Sequence, residues 1–152
     1  MISGPGLSTQ PCDAPALAAI HAEAFAASWN AAAFADLLGQ PGVFAVREAD
    51  GFILCRTVLD EAEVLTLAVR PQARRAGLAA QLTRTATALA ALGGARRLFL
   101  EVAEDNVAAR ALYARLGFVQ TGVRPAYYAR RDGPPAAALI LALNLPAPLP
   151  TA

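Results

Sequence analysis

The segment Leu67-Ala68-Val69-Arg70-Pro71-Gln72-Ala73-Arg74-Arg75-Ala76-Gly77-Leu78-Ala79 carries the densest chemical signal in this 152-residue chain. It reads as an apolar strand ending at Val69, a basic loop, and a helix that opens beside a glycine. The first-turn amides of such a helix have no partner within it and lie at the positive end of its dipole. Arg74 and Arg75 flank those amides, and Gly77 leaves an anion room to approach the backbone. That combination suits a pyrophosphate. An ordinary strand–loop–helix with solvated arginines fits the same letters, so both readings stay open on this segment alone.

Other residues could move a proton. Alternation along Leu98–Ala103 puts Leu98, Leu100 and Val102 on one face and Phe99, Glu101 and Ala103 on the other. Glu101 is then a carboxylate in an otherwise apolar strand, where burial would raise its proton affinity toward that of a useful base; an edge-strand glutamate facing water is the alternative. Further on, Ala109, Leu112, Tyr113 and Leu116 share a helical stripe, and Asn106 lies two turns before Tyr113 on the same face. Spacing alone makes Tyr113 a core aromatic and Asn106 a helix cap. A Cys55–His21 nucleophile pair is conceivable, but both residues lie in apolar stretches and are expected to be buried.

Several chemistries are excluded. Serine occurs only at Ser3, Ser8 and Ser28, none in a G-x-S-x-G elbow. One histidine and two cysteines 43 positions apart supply no zinc site by spacing, so no metal is expected. A chain without lysine has no G-x-x-x-x-G-K loop, and no G-x-G-x-x-G follows a strand. All 13 basic residues are arginine against 12 acidic ones, a formal charge of +1, which predicts no nucleic-acid or membrane-surface partner.

The elements that must position these residues follow from composition and periodicity. Apolar residues reach 56% and charged residues 16%, against usual values of about 45–50% and about 25%. Much of the excess is alanine, so a globular core is expected and disorder is not. The length fits a single domain over residues 1–152, with a core at about 12–145 and ragged ends at 1–11 and 146–152. Cys12 and Cys55 make no disulfide framework, and Met1–Cys12 has neither a basic nor an apolar leader region. The uncharged run Gly133–Ala152 is broken by Pro134, Pro135, Pro146, Pro148 and Pro150, so nothing there can cross a bilayer. A soluble, cytoplasmic protein is the expectation.

Asp13 can cap a first helix with Pro15 in its first turn, and Leu17, Ile20, His21, Ala24 and Phe25 then form one stripe at helical spacing. Asn30 can cap a second, with Phe34, Leu37 and Leu38 inward and Gly39 ending it. Strands are expected at Val43–Arg47 and Phe52–Leu59 around an Asp50-Gly51 turn, and at Glu63–Val69 before Pro71. A helix spans Gly77–Leu92, a strand Leu98–Ala103, a helix Asn106–Leu116 closed by Gly117, and strands Phe118–Val123 and Ala137–Leu143. The order predicts an α/β sandwich around one central sheet.

Two motifs in this order resemble the GNAT acetyltransferases. Arg74-x-x-Gly77-x-Ala79 is similar to the family's Q/R-x-x-G-x-G/A loop, and Asn106-x-x-Ala109-x-x-Leu112-Tyr113-x-x-x-Gly117-Phe118 to its second signature. Within the family, the chain resembles the RimI type, the ribosomal-protein-alanine N-acetyltransferases, over roughly residues 15–145. That narrower likeness rests on Phe25–Trp29, Val58-Leu59-Asp60-Glu61-Ala62, Arg124-x-x-Tyr127-Tyr128 and Asp132-Gly133. The chain departs from the type after Asp-Gly, where Gly133-Pro134-Pro135-Ala136-Ala137 lacks the usual acidic residue.

The resemblance implies a GNAT-like fold with a mixed, mostly antiparallel twisted sheet flanked by helices, and acetyl-CoA as acetyl donor without a metal. Acetyl-CoA would be held by Leu67, Ala68 and Val69, by the loop Arg74, Arg75, Ala76, Gly77, Leu78, Ala79 and Ala80, and by Asn106. It makes Glu101 the base and Tyr113 the proton donor, with Glu63 as the rival base because some relatives use a glutamate early on the acetyl-CoA strand. Trp29, Tyr127 and Tyr128 would line the acceptor groove, although aromatics also serve as packing. The implied acceptor is a protein N-terminus of the small-subunit ribosomal kind, and the implied state a monomer or weak homodimer. Amine chemistry agrees: an α-amine near pKa 8 is roughly one-tenth neutral at pH 7, a lysine near 10.4 well under one part per thousand. A GNAT enzyme for small amines and a CoA-binding module without turnover remain as alternatives.

Overall fold

A computed structural model of the chain describes residues 6–8 and 11–146. The parts of the ragged-end expectation that fall on 1–5, 9–10 and 147–152 lie outside the described residues. The strands are β1 (Gly6–Ser8), β2 (Val43–Glu48), β3 (Gly51–Val58), β4 (Glu61–Val69), β5 (Arg97–Ala103), β6 (Val119–Tyr128) and β7 (Ala136–Asn144). The helices are α1 (Ala14–Ala24), α2 (Ala31–Leu38), α3 (Leu78–Leu92) and α4 (Val107–Arg115). One sheet runs in the order β1-β2-β3-β4-β5-β7-β6. Neighbours are antiparallel except β4 and β5, which are parallel. The mixed, mostly antiparallel sheet flanked by helices is therefore as expected.

Gly51–Cys55 are all buried because helices cover both faces of β3. Phe52 and Leu54 pack toward Leu17 and Ile20 of α1 and Phe34 and Leu38 of α2. Ile53 and Cys55 face Leu82, Ala86 and Ala90 of α3 and Tyr113 of α4.

Caps divide into those made by side chains and those made by backbone. Asn30 Oδ1 accepts from the Ala33 amide at 2.9 Å, and Asn106 Oδ1 from the Ala109 amide at 3.2 Å. Asp13 precedes α1 but makes no cap bond; a 3₁₀ turn, Pro11–Asp13, already holds it in helical geometry. Gly39 ends α2 at φ −77, so no left-handed freedom is used there. Gly117 does use it. At φ +96 it lets the Phe118 amide donate to the Tyr113 carbonyl (3.0 Å) and its own amide to that of Ala114 (3.1 Å), closing α4 as a Schellman motif.

The structure corrects several boundaries. Gly6–Ser8 pairs with Ala45–Arg47, a strand absent from the sequence reading. The first hairpin turns at Ala49–Asp50, and Gly51 already opens β3; a Cβ at Gly51 would meet the Ala68 carbonyl oxygen at 2.9 Å. β3 stops at Val58, with exposed Leu59 in the turn at φ 56. β4 starts at Glu61, so Glu63 is not at its end. β6 continues past Val123 and Pro125 to Tyr128, since an edge strand tolerates the missing proline donor.

Candidate active site

The site begins with a parting in the sheet. β4 and β5 pair only at Glu61–Glu63 against Arg97–Phe99. Beyond that, β4 stays bonded to β3 as far as Gly51↔Val69, while β5 stays bonded to β7 as far as Ala103↔Ala138. In an antiparallel ladder, alternate backbone groups point away from the partner strand. Along Leu67, Ala68 and Val69 such groups face an opening rather than a neighbouring strand. A register shift at Leu54/Cys55 marks where β4 bends, with Leu65 as the extra residue.

The helix that follows opens at the same end. Gly77 precedes α3 at φ +81 and provides no side-chain cap, so the first-turn amides of Leu78, Ala79 and Ala80 carry no side-chain cap bond. No heavy atom lies within 4 Å of where a Gly77 Cβ would stand. The arginines divide their labour. Arg70 pairs with Glu23 and lies 3.7 Å from Asp50. Arg74 turns back to donate from Nε to the Val69 carbonyl (3.3 Å) and from Nη2 to that of Ala24 (3.4 Å), tying the loop to β4 and α1. Arg75 is exposed at φ 65, and among the described residues it makes no ion pair.

A cleft of about 290 Å³ lies on the sheet face opposite α3, lined by Arg56, Glu63, Phe99, Glu101, Arg124 and Ile140 among others. Strand alternation places Glu101 there as expected: Leu98, Leu100 and Val102 are buried, and Phe99 and Glu101 half-buried. The carboxylate is not an isolated buried charge, however. Arg124 Nε stands 3.1 Å from Glu101 Oε1, and the Arg124 guanidinium lies over the Tyr127 ring at 5.5 Å. Tyr127 and Tyr128 meet edge-to-face at 5.0 Å. Burial, with the Glu101 charge adding to it, raises the Tyr128 pKa above its ordinary value. A register shift between Arg124 and Tyr128, with Ala126 at φ 54, turns these side chains to one place. Glu63 faces the same cleft, exposed and bonded to Arg56 at 3.3 Å.

Tyr113 occupies the other face. It is 6% exposed, packs edge-to-face on Phe118 at 5.4 Å, and has its hydroxyl pushed up to about 12 by burial, with the Cys55 thiol adding to it. Cys55 is fully buried and likewise pushed up to about 12 by burial, so it supplies no thiolate. Glu101 and Tyr113 thus sit on opposite faces of the sheet, Glu101 on β5 just beyond the last residue paired with β4 and Tyr113 in the core on the α3 side. Trp29 does not line this cleft; it stacks on His21 at 5.1 Å beside α1 and α2, which pack on the same face of the sheet as the cleft. The sequence reading gave Arg124 no role; only the pairing across β5, β7 and β6 brings it to Glu101. Among the described residues there is no cluster of His, Cys, Asp and Glu fit for a metal, and no helix is long and apolar enough to cross a membrane.

Residues 14–118 match the Acetyltransferase (GNAT) family. The chain belongs to the GNAT family. As a GNAT enzyme it is an N-acetyltransferase that uses acetyl-CoA. It is similar to the [ribosomal protein bS18]-alanine N-acetyltransferase of Escherichia coli K12, with 34% identity over 130 residues, 83% of this chain and 88% of that protein. The enzyme of that name from Haemophilus ducreyi is 38% identical over 94 residues. That match covers 62% of this chain and 65% of the relative, just under two thirds of its length. The crystal structure of the Escherichia coli ribosomal-protein-S18-alanine N-acetyltransferase superposes with a TM-score of 0.82 at 32% identity, covering 93% of this chain and 94% of that one. This GNAT chain is thus RimI-like in sequence and in fold.

Proposed function

We propose that the chain, as one catalytic domain, acetylates the N-terminal α-amine of a protein, with a ribosomal protein beginning in alanine as the acceptor. What supports this is the parting of β4 from β5 with Glu101 on one side and Tyr113 on the other, together with relatives whose names state that substrate.

Those backbone groups of Leu67, Ala68 and Val69 that point away from β3 bind the pantetheine arm, and an amide among them polarises the thioester carbonyl. The amides of Leu78, Ala79 and Ala80, with Arg75 and Ala76 beside them, hold the pyrophosphate; Gly77 keeps the approach open and Arg74 fixes the loop. Asn106 spends its oxygen on the cap and keeps its amide nitrogen as a donor to acetyl-CoA. Tyr127 and Tyr128 border the acceptor with Trp29.

Glu101, through a water, takes a proton from the ammonium, with Arg124 holding the carboxylate until the acceptor displaces it. The free amine attacks the carbonyl carbon, a C–N bond forms, and the C–S bond breaks with no acetyl-enzyme. Burial pushes the Tyr113 hydroxyl up to about 12, which keeps it protonated and able to donate toward the departing thiolate. Tyr113 therefore stabilises the developing thiolate by hydrogen bonding, and the released amine proton supplies the balance.

The test is acetyl transfer to a peptide with N-terminal alanine beside a panel of free amines, including lysine. Product on the peptide α-amine alone supports the reading. Product on the small amines alone favours the second GNAT reading, and acetyl-CoA binding without any product the third. A trapped acetyl-enzyme would refute direct transfer.

A further inference from the structure

His21 is 3% exposed, and no step above uses it. The Trp29 backbone amide donates to its Nδ1 at 3.1 Å, so Nδ1 carries no proton. The neutral ring then has its proton on Nε2, which lies 3.2 Å from Thr66 Oγ1 and donates to it. Phe25 stacks on the imidazole at 4.5 Å and Trp29 at 5.1 Å, with Phe34 edge-on at 5.3 Å. Burial lowers the ring's pKa, which favours the neutral form this pairing needs.

Two structural accidents meet at this ring. The connection between α1 and α2 has no ladder of its own, and it folds around His21: the Phe25 amide bonds to the His21 carbonyl at 3.0 Å, Trp29 to the ring, and Asn30 then caps α2. On the other side, strict alternation would turn Thr66 with Val64 toward α3. The extra residue Leu65 changes that parity, so Leu65 packs with the α1–α2 core and Thr66 also reaches α1. Thr66 directly precedes Leu67–Val69, the stretch that faces the parting.

We propose that His21 is a positioning residue, which holds Trp29 and the α1–α2 connection against the strand that receives acetyl-CoA and so sets the acceptor groove. The proposal rests on the reading of Trp29 as part of that groove. His21→Phe keeps a ring in the stack and removes both hydrogen bonds. His21→Asn places Oδ1 where Nδ1 stands and keeps the bond to Trp29.

Trp29 is the single tryptophan, so its emission reports the connection directly. In the full chain, His21→Phe should shift that emission to the red and raise the acceptor-peptide KM about tenfold, the scale of the hydrogen bond that holds Trp29. Its kcat and acetyl-CoA KM should stay within about twofold, because Leu67–Val69 remain bonded to β3. His21→Asn should restore both the emission and the acceptor KM. A folded His21→Phe protein with wild-type emission and wild-type acceptor KM overturns the proposal, as does equal loss in His21→Asn. If His21→Phe does not fold, His21→Gln, which can reach Thr66 but leaves the Trp29 amide without its acceptor, takes its place in both measurements. If the wild type acetylates no peptide, the acceptor reading fails, while the emission still decides whether His21 anchors Trp29.

Discussion

Replacing Gly77 separates the backbone's need for glycine from the donor's need for space. Gly77 sits at φ +81 with nothing within 4 Å of an added Cβ, so alanine there meets no neighbour but does meet the left-handed penalty. That penalty is about 1–2 kcal/mol, or about 2–8 °C in Tm for a chain of this size. A β-branched valine is strained further, so even a variant that touches nothing is not stability-neutral. The binding effect is separate. A side chain at Gly77 stands where a pyrophosphate must come to the amides of Leu78, Ala79 and Ala80. Losing one hydrogen bond to a charged group, about 1.5–3 kcal/mol, weakens acetyl-CoA about 10- to 150-fold. Gly94 is the matched control: φ +100, open space around its Cβ, and the opposite end of α3. Calorimetric titration with acetyl-CoA, beside thermal melts, should give Gly77→Ala and Gly94→Ala similar losses of Tm but only Gly77→Ala a loss of affinity. Wild-type affinity in a folded Gly77→Val protein would falsify the loop assignment.

Glu101→Gln should bind acetyl-CoA normally and lose about 10²–10⁴-fold in kcat at pH 7, recovering as pH rises and the α-amine deprotonates itself; wild-type turnover at pH 7 would transfer the role to Glu63. Tyr113→Phe should lose about 10²–10³-fold, the scale for one donor aimed at a developing charge, with no rescue at high pH; a rescue like that of Glu101→Gln would place its defect at the amine. His21 has its pKa lowered from 6.5 by burial, so on acidification the unfolded ring takes up a proton before the folded one. Its stabilising contribution is complete above about pH 6.5 and lost as pH falls through the folded value. Thermal melts from pH 7.5 to 5 should show that decline in the wild type and a smaller one in His21→Asn; equal declines would contradict it.

Local signals carried much of the architecture into the sequence. Asn30 and Asn106 cap helices with their own side chains, Gly117 closes α4 through its left-handed φ, and the apolar run Phe52–Cys55 announces a strand buried on both faces. The placement of Glu101 and Tyr113 followed from two-residue and helical periodicity. What was not legible depends on partners far along the chain. Gly6–Ser8 is a strand only because β2 offers an edge. β4 leaves β5 after three paired residues, and no pattern within either strand encodes where. Leu65 changes which face Thr66 presents, and alternation counted along the sequence misses such an inserted residue. Arg124 reaches Glu101 through a register shift beside Ala126 at φ 54, a conformation that alanine gives no warning of. For that reason the ion pair of Glu101 could not be read from its own strand: the strand is apolar, but the neighbour two strands away is a cation.

The claim that the physiological acceptor is a ribosomal protein's N-terminal α-amine is tested most directly by intact-mass analysis of ribosomal proteins from cells with and without this chain. The account predicts that one protein beginning in alanine loses the mass of a single acetyl group when the chain is absent, and regains it when the wild type but not Glu101→Gln is restored. An identical set of masses in both cell types, with the enzyme expressed and folded, would contradict it.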